Sequence, residues 1–160
     1  MTTKPQGLDH SGAHGAEPTG SVVTDITEEA LEPLANAAKA QVMTEAMGAL
    51  VVFDGIVRNH DHGSAVRGLS YSAHPQAKEY IARVVQSVAD ELEGVRLWAI
   101  HRVGPIAIGE SALTVLAAAA HRGRAFEACE AVADRVKAQV PIWKEQELTD
   151  GSTEWVGIDT

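Results

Sequence analysis

Residues 137–145 read K-A-Q-V-P-I-W-K-E, and their order forces a corner in the chain. The stretch closes a long apolar-periodic segment and opens a short one rich in β-formers, with Pro141 at the seam. Proline has no N–H and disfavours helical geometry at the residue before it, so the helix is expected to stop near Gln139 or Val140. Lys137 then belongs to the last helical turn and Lys144 to an extended segment. On one unbroken helix the two lysines would form a solvated stripe. On either side of a forced corner they can face one hollow.

Working outward, Ile142 to Leu148 and Glu154 to Val156 are expected to pair as a hairpin around Asp150-Gly151. Upstream, His121 to Gln139 reads as a long helix, apolar at Ala125, Phe126, Cys129, Val132, Ala133 and Val136. Ser111 to Ala119 reads as a strand entered from a turn at Gly109, and Val95 to Arg102 as another that Gly104-Pro105 breaks. Pro75 opens a second long helix, with Ala77, Tyr80, Ile81, Val84, Val85, Val88 and Leu92 at helical spacing and Gly94 as the stop. Gly48 to Val57 reads as a core strand, followed by a polar loop over residues 58–63 and a returning strand over Val66 to Tyr71. Val22 to Ile26 is β-prone, and a short helix follows through Leu31, Leu34 and Ala38. With Pro33 in its first turn, that helix can start as late as Glu32. Short strands, joined partly by tight turns and interleaved with two long helices, favour an α+β sandwich over a doubly wound parallel sheet.

The chain has 160 residues, enough for a proper core. One catalytic domain is expected over residues 21–160, preceded by a disordered tail, because Met1 to Gly20 offers little beyond Leu8 to bury. Hydrophobic content of 45% and charged content of 22% are those of an ordinary globular protein. No apolar run approaches the roughly 18 residues that would span a bilayer. Residues 1–20 lack the apolar stretch of a secretory signal. Cys129 is the sole cysteine, so no internal disulfide is possible and a reducing compartment, the cytoplasm, is expected. A formal net charge of −9 argues against general nucleic-acid binding, which needs a broad basic surface. It leaves room for a small basic pocket that would take an anionic metabolite or an acidic chain end.

Four basic features are candidates for that pocket: Arg58 with His60, His121 with Arg122, Lys137, and Lys144. His121 and Arg122 stand where a strand hands over to a helix, and unpaired N–H groups at a helix start favour an anion. Arg122 can clamp a phosphate through two parallel N–H bonds, and the plain alternative is the polar edge of a helix start. Arg58 is either a second anion ligand or an exposed loop arginine. His60 and His62 have a spacing compatible with a metal, but no cysteine or third histidine accompanies them. His10 and His14 lie in the tail and carry no metal reading of their own. Either lysine can do acid–base or nucleophilic work only if desolvation or a neighbouring cation lowers its pKa. Trp143 can supply an apolar wall or belong to the core; Phe53 and Trp98 read as core, and Cys129 as buried and inert. Gly-rich phosphate loops, nucleophile elbows and Cys-x-x-Cys pairs are absent from the sequence.

Taken together, G-A-L-V-V-F-D-G-I-V-R-N-H (48–60), I-H-R-V-G (100–104), A-H-R-G-R-A-F-E-A (120–128) and K-A-Q-V-P-I-W-K-E (137–145) resemble the large, catalytic subunit of molybdopterin synthase. The blocks occur in that family's order and spacing, over roughly Val22 to Val156. The resemblance implies an α/β hammerhead-type fold that dimerises, each subunit binding a small ubiquitin-like sulfur carrier to make a heterotetramer. It implies that the carrier's C-terminal Gly-Gly thiocarboxylate threads into a pocket here. The implied substrate is cyclic pyranopterin monophosphate (precursor Z), which two sulfur transfers convert to the dithiolene of molybdopterin. No cofactor or metal is expected, since the metal is inserted later by other proteins. By the same resemblance Lys137 and Lys144 are the catalytic lysines and Arg58, His121 and Arg122 bind substrate, the His-Arg pair reaching in from the partner subunit. Phe53 matches an aromatic lining position. Nothing in residues 1–20 resembles a fused carrier, so the carrier is expected to be a separate chain. The competing reading is a non-catalytic module that binds a phosphate-bearing anionic metabolite in the same basic pocket; a pure assembly scaffold leaves the Pro-enforced corner unexplained.

Overall fold

The computed structural model describes residues 21–61 and 64–157. The expected disordered tail over Met1 to Gly20, with His10 and His14, falls outside these residues, as does His62.

Four strands form the first sheet: β1 (Val22–Thr27), β2 (Ala49–Ile56), β5 (Arg96–Arg102) and β7 (Ser111–Ala119), in the order β1-β5-β7-β2. β1 runs parallel to β5, and the other pairs are antiparallel. Helix α1 (Leu31–Val42) covers one face, burying Leu31, Ala35, Ala38 and Val42 against Trp98, Ile100, Leu116 and Ala118. Helices α2 (Ala77–Glu91) and α3 (Arg122–Gln139) cover the other, against Leu97, Ala99, Val115 and Ala117. With helices on both faces, every residue of β7 is buried. Its Ala117-Ala118-Ala119 end has little intrinsic strand preference. Small side chains there let the backbone of α3 approach through Ala125, Ala128 and Cys129. Where the α3 stripe steps by three and four residues through Ala125, Cys129, Val132 and Val136, Phe126 falls one position off it. Phe126 is therefore 60% exposed, not on the apolar face expected for it.

The second sheet is built on β4 (Ser64–Ala73) and β8 (Ile142–Leu148), which pair antiparallel from Val66↔Leu148 to Ala73↔Ile142. β9 (Thr153–Val156) completes the expected hairpin, turning at Gly151 with φ +87°. Two short strands add to β4: β3 (His60–Asp61) at its start, and β6 (Gly104–Ile106) beside Leu69 to Tyr71. The chain after β2 does return, but into this second sheet and not alongside β2. Gly104, with φ +82°, likewise ends β5 and swings the chain across to β6.

β2 is not the fully buried strand its composition indicates. It forms one edge of the first sheet, and Val52, Phe53 and Ile56 are 42%, 39% and 50% exposed. An apolar strand reads as core, but only neighbours on both sides can bury it. Among the described residues no helix is long and apolar enough to cross a membrane.

β2 is locked to the end of β7 by Gly48, whose N–H donates to Ala119 O and Ala120 O at 3.1 and 3.2 Å. A Cβ at that position would stand 2.5 Å from Ala120 O. Gly48→Ala is expected to destabilise the protein by about 1–3 kcal/mol, since backbone must give way on one side. Urea unfolding monitored by circular dichroism reads this directly; a midpoint equal to that of the native chain would contradict the close approach.

Candidate active site

The corner predicted at Pro141 is present. α3 ends at Gln139, Val140 is extended (φ −83°, ψ 127°), and its N–H donates to Val136 O at 3.1 Å. Ile142 N–H reaches back over Pro141 to Val140 O at 2.9 Å, and Pro141 O accepts from His74 N–H at 3.0 Å. The first bond tightens the turn and the second ties it to the end of β4. A cavity of about 270 Å³ opens beside this corner, between the end of the first sheet, the last turns of α3 and the second sheet. Its walls are largely apolar, from Leu69, Leu113, Val136, Val140 and Ile142. Among the described residues Arg58, Lys137 and Lys144 also line it, with Phe53, and no Asp or Glu does.

Each cation is placed by a different element. Lys137 rides on the last turn of α3. Lys144 lies on β8, where alternation gives Ile142, Lys144 and Gln146 one face and Trp143 and Glu145 the other. Trp143 therefore cannot be the apolar wall beside Lys144. Instead it is 38% exposed on the far face of the sheet, its ring against Gly157. Arg58 follows β2, where Val57 N–H donates to Glu110 O at 2.9 Å and Val57 O accepts from Gly109 N–H at 2.7 Å. Phe53, read as core from its composition alone, stands on the exposed edge strand and lines the cavity, whereas Trp98 is core.

His121 and Arg122 stand apart from this group. His121 is the N-cap of α3 and Arg122 its first residue; both are exposed, and neither lines the cavity. The first turn of α3 carries no acidic residue, although the helix dipole favours one there. His60, also exposed, bonds to Asn59 Oδ1 at 2.8 Å through Nδ1. Among the described residues no group of three or more His, Cys, Asp or Glu is placed to hold a metal ion.

Comparison with known proteins bears on what this pocket serves. The MoaE protein family matches residues 26–139. The chain belongs to that family. A curated relative from Mycobacterium tuberculosis, the molybdopterin synthase catalytic subunit 1, is 37% identical over 119 residues, covering 74% of this chain and 80% of its own. The molybdopterin synthase catalytic subunit of Thermoplasma volcanium is 33% identical over 132 residues, covering 82% and 95%. Among solved structures, molybdopterin synthase from Staphylococcus aureus superposes with a TM-score of 0.76 at 30% identity, over 83% of this chain and 96% of that one. The mixed α+β architecture is thus that of the MoaE fold. The family match includes Lys137 and ends before Lys144.

Two polar residues of this MoaE chain that line the cavity were not among the candidates from sequence. His101, on β5, is 8% exposed, and burial lowers its pKa from 6.5 to about 4. Its Nδ1 lies 2.7 Å from Arg102 O. A carbonyl can only accept, so Nδ1 carries the proton and the neutral ring leaves Nε2 as an acceptor. The Tyr71 ring meets it edge-on at 4.8 Å. Gln146 is 1% exposed, and its Nε2 is buried with no hydrogen-bond partner among the described residues. Leaving a donor buried and unpaired costs about 1–3 kcal/mol. Arg102 Nη1 also lacks a well-aligned hydrogen bond, but it lies 3.3 Å from Glu110 Oε2 and so is charge-paired. The period of two offered a signal for both residues: once Leu97 and Ala99 face α2 and α3, so does His101, and once Lys144 faces the hollow, so does Gln146.

Burial of neutral His101 makes stability depend on pH. The unfolded chain takes up a proton between about pH 6.5 and 4 that the folded chain refuses. This contribution is therefore complete above pH 6.5 and is lost as pH falls towards 4. Between pH 7 and 4.5 the native chain is expected to lose about 2–3 kcal/mol more than His101→Asn does. Paired urea titrations at the two pH values measure the difference, and parallel losses would exclude a buried neutral histidine.

Cys129 is 4% exposed on α3, and burial pushes its thiol up to about 11. It is expected to resist a thiol reagent such as Ellman's at pH 8 in the folded chain and to react fully in denaturant. Rapid labelling of folded protein would show that α3 does not seal it.

Proposed function

We propose that this chain is the sulfur-transferring subunit of a molybdopterin synthase. It would pass sulfur from a thiocarboxylated small carrier to cyclic pyranopterin monophosphate to form the dithiolene. The observation that carries the reading is the lining of the cavity: among the described residues it gathers Arg58, Lys137 and Lys144 and no carboxylate, in a chain of net charge −9. Acidic residues outnumber basic ones 22 to 13, so a cavity whose described lining gathers three cations favours an anion. A thiocarboxylate and a cyclic phosphate diester are both anions, and both would be held there. The names of the relatives, catalytic subunits of molybdopterin synthase, weigh against the non-catalytic binding module.

In this reading Arg58 holds phosphate, and the two lysines act on the reacting atoms. A lysine ammonium stabilises negative charge that develops as sulfur adds, and donates a proton as a side-chain oxygen leaves the pterin. Phe53 forms part of the apolar rim. His121 and Arg122, exposed at a helix start without acidic compensation, would serve the cavity of a second copy of the chain. The exposed edge formed by Val52, Phe53 and Ile56 supports such a homodimer, and a carrier bound to each copy would make the heterotetramer. In this view residues 21–160 form a single catalytic domain, and the carrier is a separate chain.

The test is a turnover assay with precursor Z and thiocarboxylated carrier. The native chain is expected to form the dithiolene, and Lys137→Ala and Lys144→Ala to lose about 100-fold or more while their circular dichroism stays native. No product from a folded native chain supplied with competent carrier would overturn the synthase reading. Full activity in both variants would remove the lysines from the chemistry.

A further inference from the structure

The cavity has two ends of different character. Arg58 and Lys137 are exposed and Lys144 is half-buried, so charge gathers at the mouth. The inner polar groups, His101 and Gln146, are buried and uncharged. Gln146 reaches this position because β8 alternates. It lies on the same face as Lys144, two residues on, and opposite Leu69 of β4, which also lines the cavity. Its Nε2 is a fully buried donor that the described residues leave unpaired. Protein interiors rarely keep such a group without a partner, and a ligand entering the cavity would provide one.

We propose that Gln146 is a substrate-binding residue whose Nε2–H donates to an amide carbonyl of the bound ligand, fixing its uncharged part while the cations at the mouth hold its charge. A carbonyl is the fitting partner because the donor is neutral and the inner end holds no cation to offset a buried anion. His101 keeps that end neutral and offers Nε2 as an acceptor for an N–H of the same ligand. This assignment rests on the synthase reading, in which two ligands carry such a group: the lactam of the pterin and the peptide carbonyls of the carrier's Gly-Gly tail.

Steady-state kinetics of native protein and Gln146→Met, varying precursor Z and thiocarboxylated carrier separately, test the proposal. Removing the donor is expected to raise KM about tenfold for one of the two substrates, with kcat much less affected and the melting temperature unchanged or higher. A rise for precursor Z assigns the lactam; a rise for the carrier assigns the tail. Unchanged KM for both overturns the proposal. If Gln146→Met does not fold, nitrogen-15 spectra of the native chain decide. The Gln146 carboxamide protons are expected to move downfield when precursor Z or a peptide ending in Gly-Gly is added, and no movement with either overturns the assignment. The native chain in the same assay separates the two claims. Absence of native turnover counts against the synthase, whereas native turnover with an indifferent Gln146 counts only against the inference.

Discussion

The break that Pro141 imposes between α3 and β8 is the constraint on which the rest of the structure depends. α3 is fixed to the first sheet by Ala125, Ala128, Cys129, Val132 and Val136. β8 is the central partner of β4 in the second sheet. A helix that ran on through residue 141 would carry residues 142–148 off the end of the first sheet and leave β4 without its main partner. Because the turn closes within three residues, with Pro141 O tied to His74, the two sheets meet at one place. The cavity is the space left at that junction.

Charge placement follows from the same geometry. Lys137 sits at the C-terminal end of α3, where the helix dipole favours a cation, so this residue serves helix stability and pocket charge together. Lys144 owes its position to strand alternation, which gives its neighbour Trp143 to the opposite face. Arg58 is brought in from the far end of β2 by two backbone hydrogen bonds to the 109–110 turn. Three separate elements thus deliver like charges to one cavity.

Helices cover both faces of the first sheet, and β2 forms its outer edge. Here that edge is apolar, and it carries Phe53 at the cavity rim. An exposed apolar edge and a cavity rim that share a strand are structurally linked, since whatever covers the edge also shapes the rim. His121 and Arg122 show the complementary situation: basic residues at the start of α3, away from the cavity of their own chain.

Much of this was legible in the sequence. The prolines and glycines set the element boundaries, and Pro141, Gly94, Gly109 and Gly151 all stand at ends or turns, because backbone restrictions act locally and do not wait for tertiary contacts. The apolar stripes of α2 and α3 and the burial of Cys129 were readable for the same reason. Tertiary structure decided what depends on neighbours. It placed β2 at an edge, which left Phe53 at the rim and not in the core. It turned Phe126 and Trp143 outward, and it sent β4 to a second sheet. It also gave His101 and Gln146 their buried places in the cavity. Burial belongs to a residue's surroundings, and those are contributed by segments far away in the chain that no local pattern records.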